Sequence, residues 1–292
     1  MSEAVYIPDG EKLAALPSDR DIEAAAAAAA RRYRRDVFLW RAAILLAFLG
    51  SWEAAGQFQW IDPFFYSMPS KIFARLAEWI TEGTSEGPLW YHLWVTMEES
   101  LIGFFTGAIA GVIIGVALGR SRMASDVFSL YIKLVNSVPR VVLAPIFIML
   151  FGLGLASKVA LAFVMVFFVV FSNAFQGVRE ADRAMIANAR ILGASNWQLT
   201  RSVIVPSAMS WIFASLHVSF GFAIIGAIVG EFVGARYGIG LLINVAAGSF
   251  DAAGLYAAIV IVMVVALLAE YLMTLVENRL ASWRPQPLHE TQ

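Results

Sequence analysis

The chain has 292 residues, 60% of them hydrophobic and 15% charged, with a formal net charge of −1, no cysteine and a mean hydropathy of +0.71. A soluble domain is about 45–50% apolar and about 25% charged, so this composition excludes an ordinary soluble fold and reads as an integral membrane protein. The missing cysteine excludes disulfides, cysteine zinc sites, iron–sulfur clusters and a thiol nucleophile, and the balanced charge gives no basic field for nucleic acid.

In chain order, residues 1–36 are polar, with an alanine run Ala24–Ala30 before Arg31, Arg32, Arg34 and Arg35. They read as a cytoplasmic helix or a loose tail. The first thirty residues lack a basic start followed by an apolar run, so the expectation is no cleavable signal peptide and a first membrane helix that acts as its own insertion signal.

A hydrocarbon core ~30 Å thick needs roughly 20 helical residues. Six segments meet or approach that length: Val37–Gly56, Leu101–Leu118 with an extension back to Trp94, Leu130–Leu150, Val159–Phe175, Met209–Val229, and Ala252–Ala269 continuing to Val276. The third is broken by Pro139 and Pro145. Residues 37–278 are thus expected to form the membrane domain and 279–292 a cytoplasmic tail. Within the second segment Gly103, Gly107, Gly111, Gly115 and Gly119 recur every four residues, one helical stripe along which a neighbouring backbone can approach closely.

Arginine sets the orientation. Arg31–Arg35, Arg120, Arg122, Arg179, Arg183, Arg190, Arg201, Arg279 and Arg284 fall on one side of the six segments, against Lys71, Arg75, Lys158 and Arg236 on the other. The excess of positive charge marks the cytoplasmic side, so both termini are expected there. On the opposite side the loop 57–90 carries Ile72, Leu76, Trp79 and Ile80 at helical spacing after Pro69, which predicts a short helix lying on the membrane surface. GLGLASK (Gly152–Lys158) approaches a phosphate loop, but Ser157 replaces the glycine before the lysine and Val159 the Ser/Thr. No catalytic motif survives.

The stretch 179–206 is too polar to cross the membrane and too periodic for a slack linker. Met185, Ile186, Ala189 and Leu192 give an apolar face, Gly193 breaks the run, and a second helix starts near Ser195 with Trp197, Leu199 and Val203 before Pro206. Two short amphipathic helices joined at a glycine are predicted.

These residues carry a family resemblance. The permease subunits of bacterial ATP-binding-cassette importers hold an EAA loop: E-A-A, three residues, Gly, nine residues, then I-x-L-P. Ala187-Asn188-Ala189, Gly193 and Val203-Ile204-Val205-Pro206 match that spacing, with Ala187 in place of the usual glutamate and Asn188 in place of alanine. The run Gly230–Ile243, GEFVGARYGIGLLI, is similar to the branch that imports nitrate, sulfonates, taurine and bicarbonate. The resemblance spans about Trp90–Val276.

It implies an all-α, six-helix permease of the MetI-like type I fold, in the inner membrane and without enzymatic activity or cofactor of its own. Implied partners are two ATPase subunits carrying ATP and Mg²⁺, a second permease copy, an extracytoplasmic substrate-binding protein and membrane lipid. It implies an ATPase-docking segment at Ala187, Asn188, Ala189, Arg190, Gly193, Ala194, Ser195 and Trp197, ending at Pro206. With the first glutamate missing, Glu180 or Asp182 is expected to anchor the loop.

Ionisable or polar groups at membrane depth are functional candidates. His217, in the middle of the fifth segment, and Asn173, near the end of the fourth, are the candidates for a translocation pathway; the alternative for His217 is a neutral histidine bonded to a neighbouring helix. Glu98, Glu99, Glu231 and Glu270 stand at segment ends, and Lys133 and Arg140 are expected to snorkel to the cytoplasmic face. Gly230–Gly248 reads as a tightly turned segment that, with the 57–90 loop, forms a docking rim. The rival readings are a gradient-driven secondary transporter or channel, and a membrane-embedded enzyme. The first calls for paired broken helices, and the second for a facing His/Asp/Glu cluster; neither pattern is present in the sequence.

Overall fold

A computed structural model of the chain describes residues 19–280; the expectations for 1–18 and 281–292 lie outside the described residues. The chain separates into two units, Met1–Ile61 and Asp62–Gln292. In the first, the described residues form one helix, α1 (Asp19–Gln57). The expected boundary at residue 36 falls inside it: alanine is the strongest helix former, and Ala24–Ala30 runs without a break into the apolar stretch. Most of that stretch is exposed, Phe38, Trp40 and Leu46 among its open side chains.

The second unit starts with α2 (Pro63–Tyr66), capped by Asp62, whose carboxylate accepts the Phe64 N–H at 2.9 Å. Next come α3 (Pro69–Thr81), α4 (Leu89–Gly119) and α5 (Arg122–Asn136). A 3₁₀ turn over Arg140–Leu143 leads to α6 (Ala144–Phe151), then α7 (Leu155–Arg179). The remainder is α8 (Arg183–Ile191), α9 (Asn196–Leu199), α10 (Val205–Val233), α11 (Ile239–Gly248) and α12 (Ala252–Leu280). Among the described residues, five helices are long and apolar enough to cross a membrane. The third expected span is not one rod: its two parts meet at an 80° bend. Pro139, at the bend, has no N–H for a helical ladder and disfavours helix in the residue before it.

The glycine stripe is the spine of the bundle. A Cβ added at Gly103, Gly107, Gly111, Gly115 or Gly119 would run into Ala162, Val166, Val170, Ala174 or Val178 respectively, or into the adjacent α7 backbone. Residue n of α4 therefore faces residue n + 59 of α7, and the two helices run parallel with backbones in contact. α10 crosses the other side of α7 in the opposite sense, with Gly177 against Trp211, Gly226 against Ala162 and Gly230 against Lys158. Phe104, Val166, Val170, Phe220 and Ile224 form the buried centre. Without Cβ atoms at these crossings the helices exchange lipid contacts for close dispersion contacts, the force that assembles helices in a bilayer.

α3 forms where the spacing after Pro69 predicts it, but one face is docked rather than laid on a surface: Ile72 and Trp79 are buried and α3 packs on α12, while Ile80 is exposed. α11 folds back from the end of α10 to pack against α10 and α12.

Candidate functional site

The glycine-hinged loop is held by short-range hydrogen bonds. Asp182 caps α8 by accepting the Ala184 N–H at 2.7 Å, whereas Glu180 accepts from Gln176 on α7; Asp182 thus anchors the start of the loop. Gly193 adopts φ +81°, a left-handed conformation that costs a residue with a Cβ about 1–2 kcal/mol. Around it the Gly193 N–H reaches the Arg190 carbonyl and the Ala194 N–H the Ala189 carbonyl, both at 3.0 Å, the paired bonds that close a helix end. Ser195 then opens α9 with a reciprocal cap: its hydroxyl accepts the Gln198 N–H at 3.3 Å, and the Gln198 side chain accepts the Ser195 N–H at 2.8 Å.

α9 passes into α10 through a π turn at Thr200–Ile204, in which the Val205 N–H bonds the Thr200 carbonyl. Pro206 follows at once; it has no N–H to give to Ser202, so the ladder slips by one residue. Leu199, Ile204, Ala208 and Ile212 pack with Ala174 and Val178 of α7, and Ile186 and Ala189 rest on this cluster. The elbow is thereby fixed to two membrane helices.

The expected docking residues stand as follows. Ala187, Asn188, Arg190, Gly193, Ser195, Trp197 and Pro206 are exposed, while Ala189 and Ala194 are half-buried. The expected apolar face is only half right. Ile186 and Ala189 turn inward, but Met185 is exposed and Leu192 is 86% exposed, because α8 ends at Ile191 and Leu192 lies in the turn. With Ile191 and Trp197 also open, the elbow shows apolar side chains outward. A groove of about 420 Å³ beside it is lined by Arg120, Arg190, Asn196 and Thr200, among others.

The two pathway candidates go to separate partners. His217 Nε2 lies 3.8 Å from Glu270 of α12, whereas the Asn173 amide donates to the Val169 carbonyl of its own helix at 2.8 Å.

At the far end of the bundle the structure assembles a buried polar cluster that reading single segments does not reveal. Glu231, 1% exposed, accepts the Thr96 hydroxyl at 2.6 Å and the Gly240 N–H at 2.7 Å. Thr96 accepts the Ile239 N–H at 2.9 Å, and His92 Nδ1 accepts the Gly238 N–H at 3.1 Å. Three side chains thus satisfy three free N–H groups around the start of α11, the need that every helix N-terminus creates. Gly238, at φ +116°, leaves room for the carboxylate: a Cβ there would overlap Glu231. Glu99 is also buried, and Lys158, buried rather than in a loop, donates to the Leu153 carbonyl and interacts with both Glu99 and Glu231. Lys158 is residue 99 + 59. Glu99 and Lys158 therefore stand at the next rung of the α4–α7 ladder, a signal present in the spacing.

Beyond this cluster, Arg75 of α3 bridges Asp251 at 3.2 Å and Glu78 at 3.1 Å. The cleft there, about 420 Å³, takes Glu82 from the 57–90 loop and Leu242 and Val245 from α11, so the two segments expected to form a rim do meet.

Residues 107–282 match the family described as binding-protein-dependent transport system inner membrane component. The chain belongs to this family. Its riboflavin transport relative, the permease protein RibX of Chloroflexus aurantiacus, is 36% identical over 82% of this chain and 88% of its own length. The taurine transport permease TauC of Escherichia coli is 27% identical over 82% of this chain and 87% of its own. The putative aliphatic sulfonates permease SsuC of Bacillus subtilis is 28% identical over 84% and 88%. Among solved structures, the inward-facing MetNI methionine ABC transporter shares the fold at a TM-score of 0.56 and 20% identity, covering 66% of this chain and 95% of that one. The permease is thus a multi-pass, MetI-like translocation subunit of an ABC importer. It is not an enzyme, ATP hydrolysis belongs to a separate subunit, and permeases of this kind work with ATPase and substrate-binding partners.

Proposed function

We propose that this permease carries a small anionic solute into the cell across the inner membrane, with both termini in the cytoplasm. Two copies enclose one path. Two ATPase subunits, holding ATP and Mg²⁺, grip the loop Ala187–Trp197, and a substrate-binding protein docks on the far-end rim around Arg75 and Asp251. ATP binding and hydrolysis then shift the pair between two arrangements, each stabilised by a different set of contacts.

One observation carries the coupling role: the elbow shows Ile191, Leu192 and Trp197 to the outside while its inner residues are packed on α7 and α10. A partner that pulls on it pulls on two membrane helices. The anionic cargo is supported by the likeness to taurine and sulfonate permeases. A second cargo, a heterocycle of the riboflavin kind, is favoured by the 36% identity to RibX.

The test is uptake of labelled taurine and of riboflavin into proteoliposomes holding the permease, its ATPase and its binding protein. ATP-dependent uptake of taurine and none of riboflavin is expected. Riboflavin uptake alone would select the second cargo, and gradient-driven uptake by the permease alone would contradict ATP coupling.

A further inference from the structure

One arginine at membrane depth has a different setting from that expected of a snorkelling side chain. Arg140 begins the 3₁₀ turn just past the 80° bend, and its guanidinium lies 5.4 Å over the ring of Phe168. Phe168 stands 13 residues from the start of α7 and 11 from its end. At about 1.5 Å per residue both ends are more than ~15 Å away, so Arg140 sits near mid-bilayer.

There it is positioned by neutral groups. One terminal nitrogen donates to Asn136 at 2.7 Å, the Asn136 amide donates in turn to Ser172 of α7 at 3.3 Å, and the Arg140 Nε is buried without a hydrogen-bond partner. Among the described residues it forms no ion pair with a carboxylate. A cation at this depth is costly unless it faces an aqueous interior or a partner of opposite charge.

The sequence leading to it is polar on one side. Asp126, Ser129, Lys133 and Asn136 recur at spacings of three and four, a single stripe along α5, and Arg140 beyond the bend is joined to its end by the bond to Asn136. Lys133 and Asn136 on this stripe are exposed and Arg140 is half-buried. The stripe starts at the end of the bundle that carries the elbow, where α4 ends and α5 begins.

We propose that this stripe lines the elbow-side half of the translocation path and that Arg140 is its recognition point, binding a sulfonate or carboxylate group of the passing solute. A guanidinium presents a planar fork of donors matched to two oxygens of such a group. Asn136 and Ser172 aim the fork and Phe168 supports its face. The inference rests on the anionic-cargo reading and gives it a site; neither His217 nor Asn173 takes part.

The natural absence of cysteine makes a direct test available. Ser172→Cys is nearly isosteric and places one thiol beside the site in the full-length permease, purified with its ATPase and reconstituted. The probes are two thiol reagents, sulfonatoethyl and trimethylammonioethyl methanethiosulfonate, with rates normalised to a free thiol in solution. The anionic reagent is expected to react about tenfold faster than the cationic one, as focusing of one sign of charge in a cleft produces. Adding Arg140→Gln should reduce that preference to about twofold or less, and Arg140→Lys should keep it, which separates charge from damage to the fold.

A thiol that reacts with neither reagent would place the stripe against lipid or protein and overturn the proposal. So would a reaction without charge preference, or one that Arg140→Gln leaves unchanged. Since the ATPase is retained or lost in the same purification, and taurine uptake is measured separately, failure of this site is distinguishable from failure of the anionic-cargo reading.

Discussion

The elbow and the far-end cluster are built by opposite means. In the elbow the shaping bonds join residues no more than five apart, from Asp182 to Ala184, Ala194 to Ala189, and Ser195 to Gln198. Much of its apolar surface is left open. In the far-end cluster the bonds that tie one helix to another join residues 135 to 146 apart, Thr96 to Glu231 and His92 to Gly238, and every side chain in it is buried. A locally folded element keeps its shape while another protein binds and releases it. A cluster that depends on distant partners needs the assembled bundle, and in return it fixes how α4, α7, α10 and α11 meet. Changes at the far end should therefore act on stability, and changes at the elbow on coupling.

The strongest way to break this contrast is Glu231→Ala. It strands the buried Gly240 N–H, leaves the Thr96 hydroxyl only the His92 carbonyl to donate to, and opens a cavity in the cluster. Stranding a buried donor costs about 1–3 kcal/mol, and the cavity left by the truncated side chain adds to it. Thermal unfolding of the purified complex should show a clear loss of stability; an unchanged melting curve would mean the cluster holds nothing. Next is Gly107→Ala, whose new Cβ would lie 2.8 Å from the Phe163 carbonyl oxygen. Overpacking of this kind costs about 1–3 kcal/mol, read by the same melting curve.

At the elbow, Gly193→Ala should cost about 1–2 kcal/mol of local strain. Nothing lies within 4 Å of the position of its Cβ, so Gly193→Leu should be no worse. Bulk is not the issue; the backbone conformation is. Both variants should shift the melting curve by no more than Gly107→Ala does, while ATP hydrolysis proceeds with reduced uptake. A graded loss with side-chain size would show that the residue packs against something. Ser195→Ala, which removes one half of the reciprocal cap, should cost about 1 kcal/mol and give a milder form of the same uncoupling.

The two regions also differ in how far the sequence discloses them. Gly193, the Ser195 start and the pair of short helices are visible because their determinants are local: a left-handed turn asks for glycine, and an N-cap asks for serine. The membrane helices are visible because lipid imposes a length and a composition. The inward and outward turns of Met185 and Leu192 are not, because α8 is under three turns long and its end residue decides which side chains lie on the helix face at all.

The 80° bend shows only as two prolines, whose presence marks a break without giving its angle. The far-end cluster is invisible segment by segment, since Glu99, Lys158 and Glu231 belong to three different helices. Yet the glycines every four residues on α4 and the small or branched residues every four on α7 share one offset, and extending that offset one step pairs Glu99 with Lys158. What lay beyond reach was the third member, because nothing in the spacing of α10 fixes its register on α7.

The central claim is that a separate ATPase works this gate through an exposed elbow, and Trp197 is the place to measure it. Trp197→Cys, alone in a chain with no other cysteine and in a side chain already 67% exposed, should leave the melting curve unchanged. Oxidation should cross-link it to a cysteine placed in the groove of the ATPase subunit, and nucleotide should alter the yield. A thiol at 197 that is modified in intact cells by a reagent unable to cross the inner membrane, with no cross-link to the ATPase, would put the elbow on the wrong side and contradict the account.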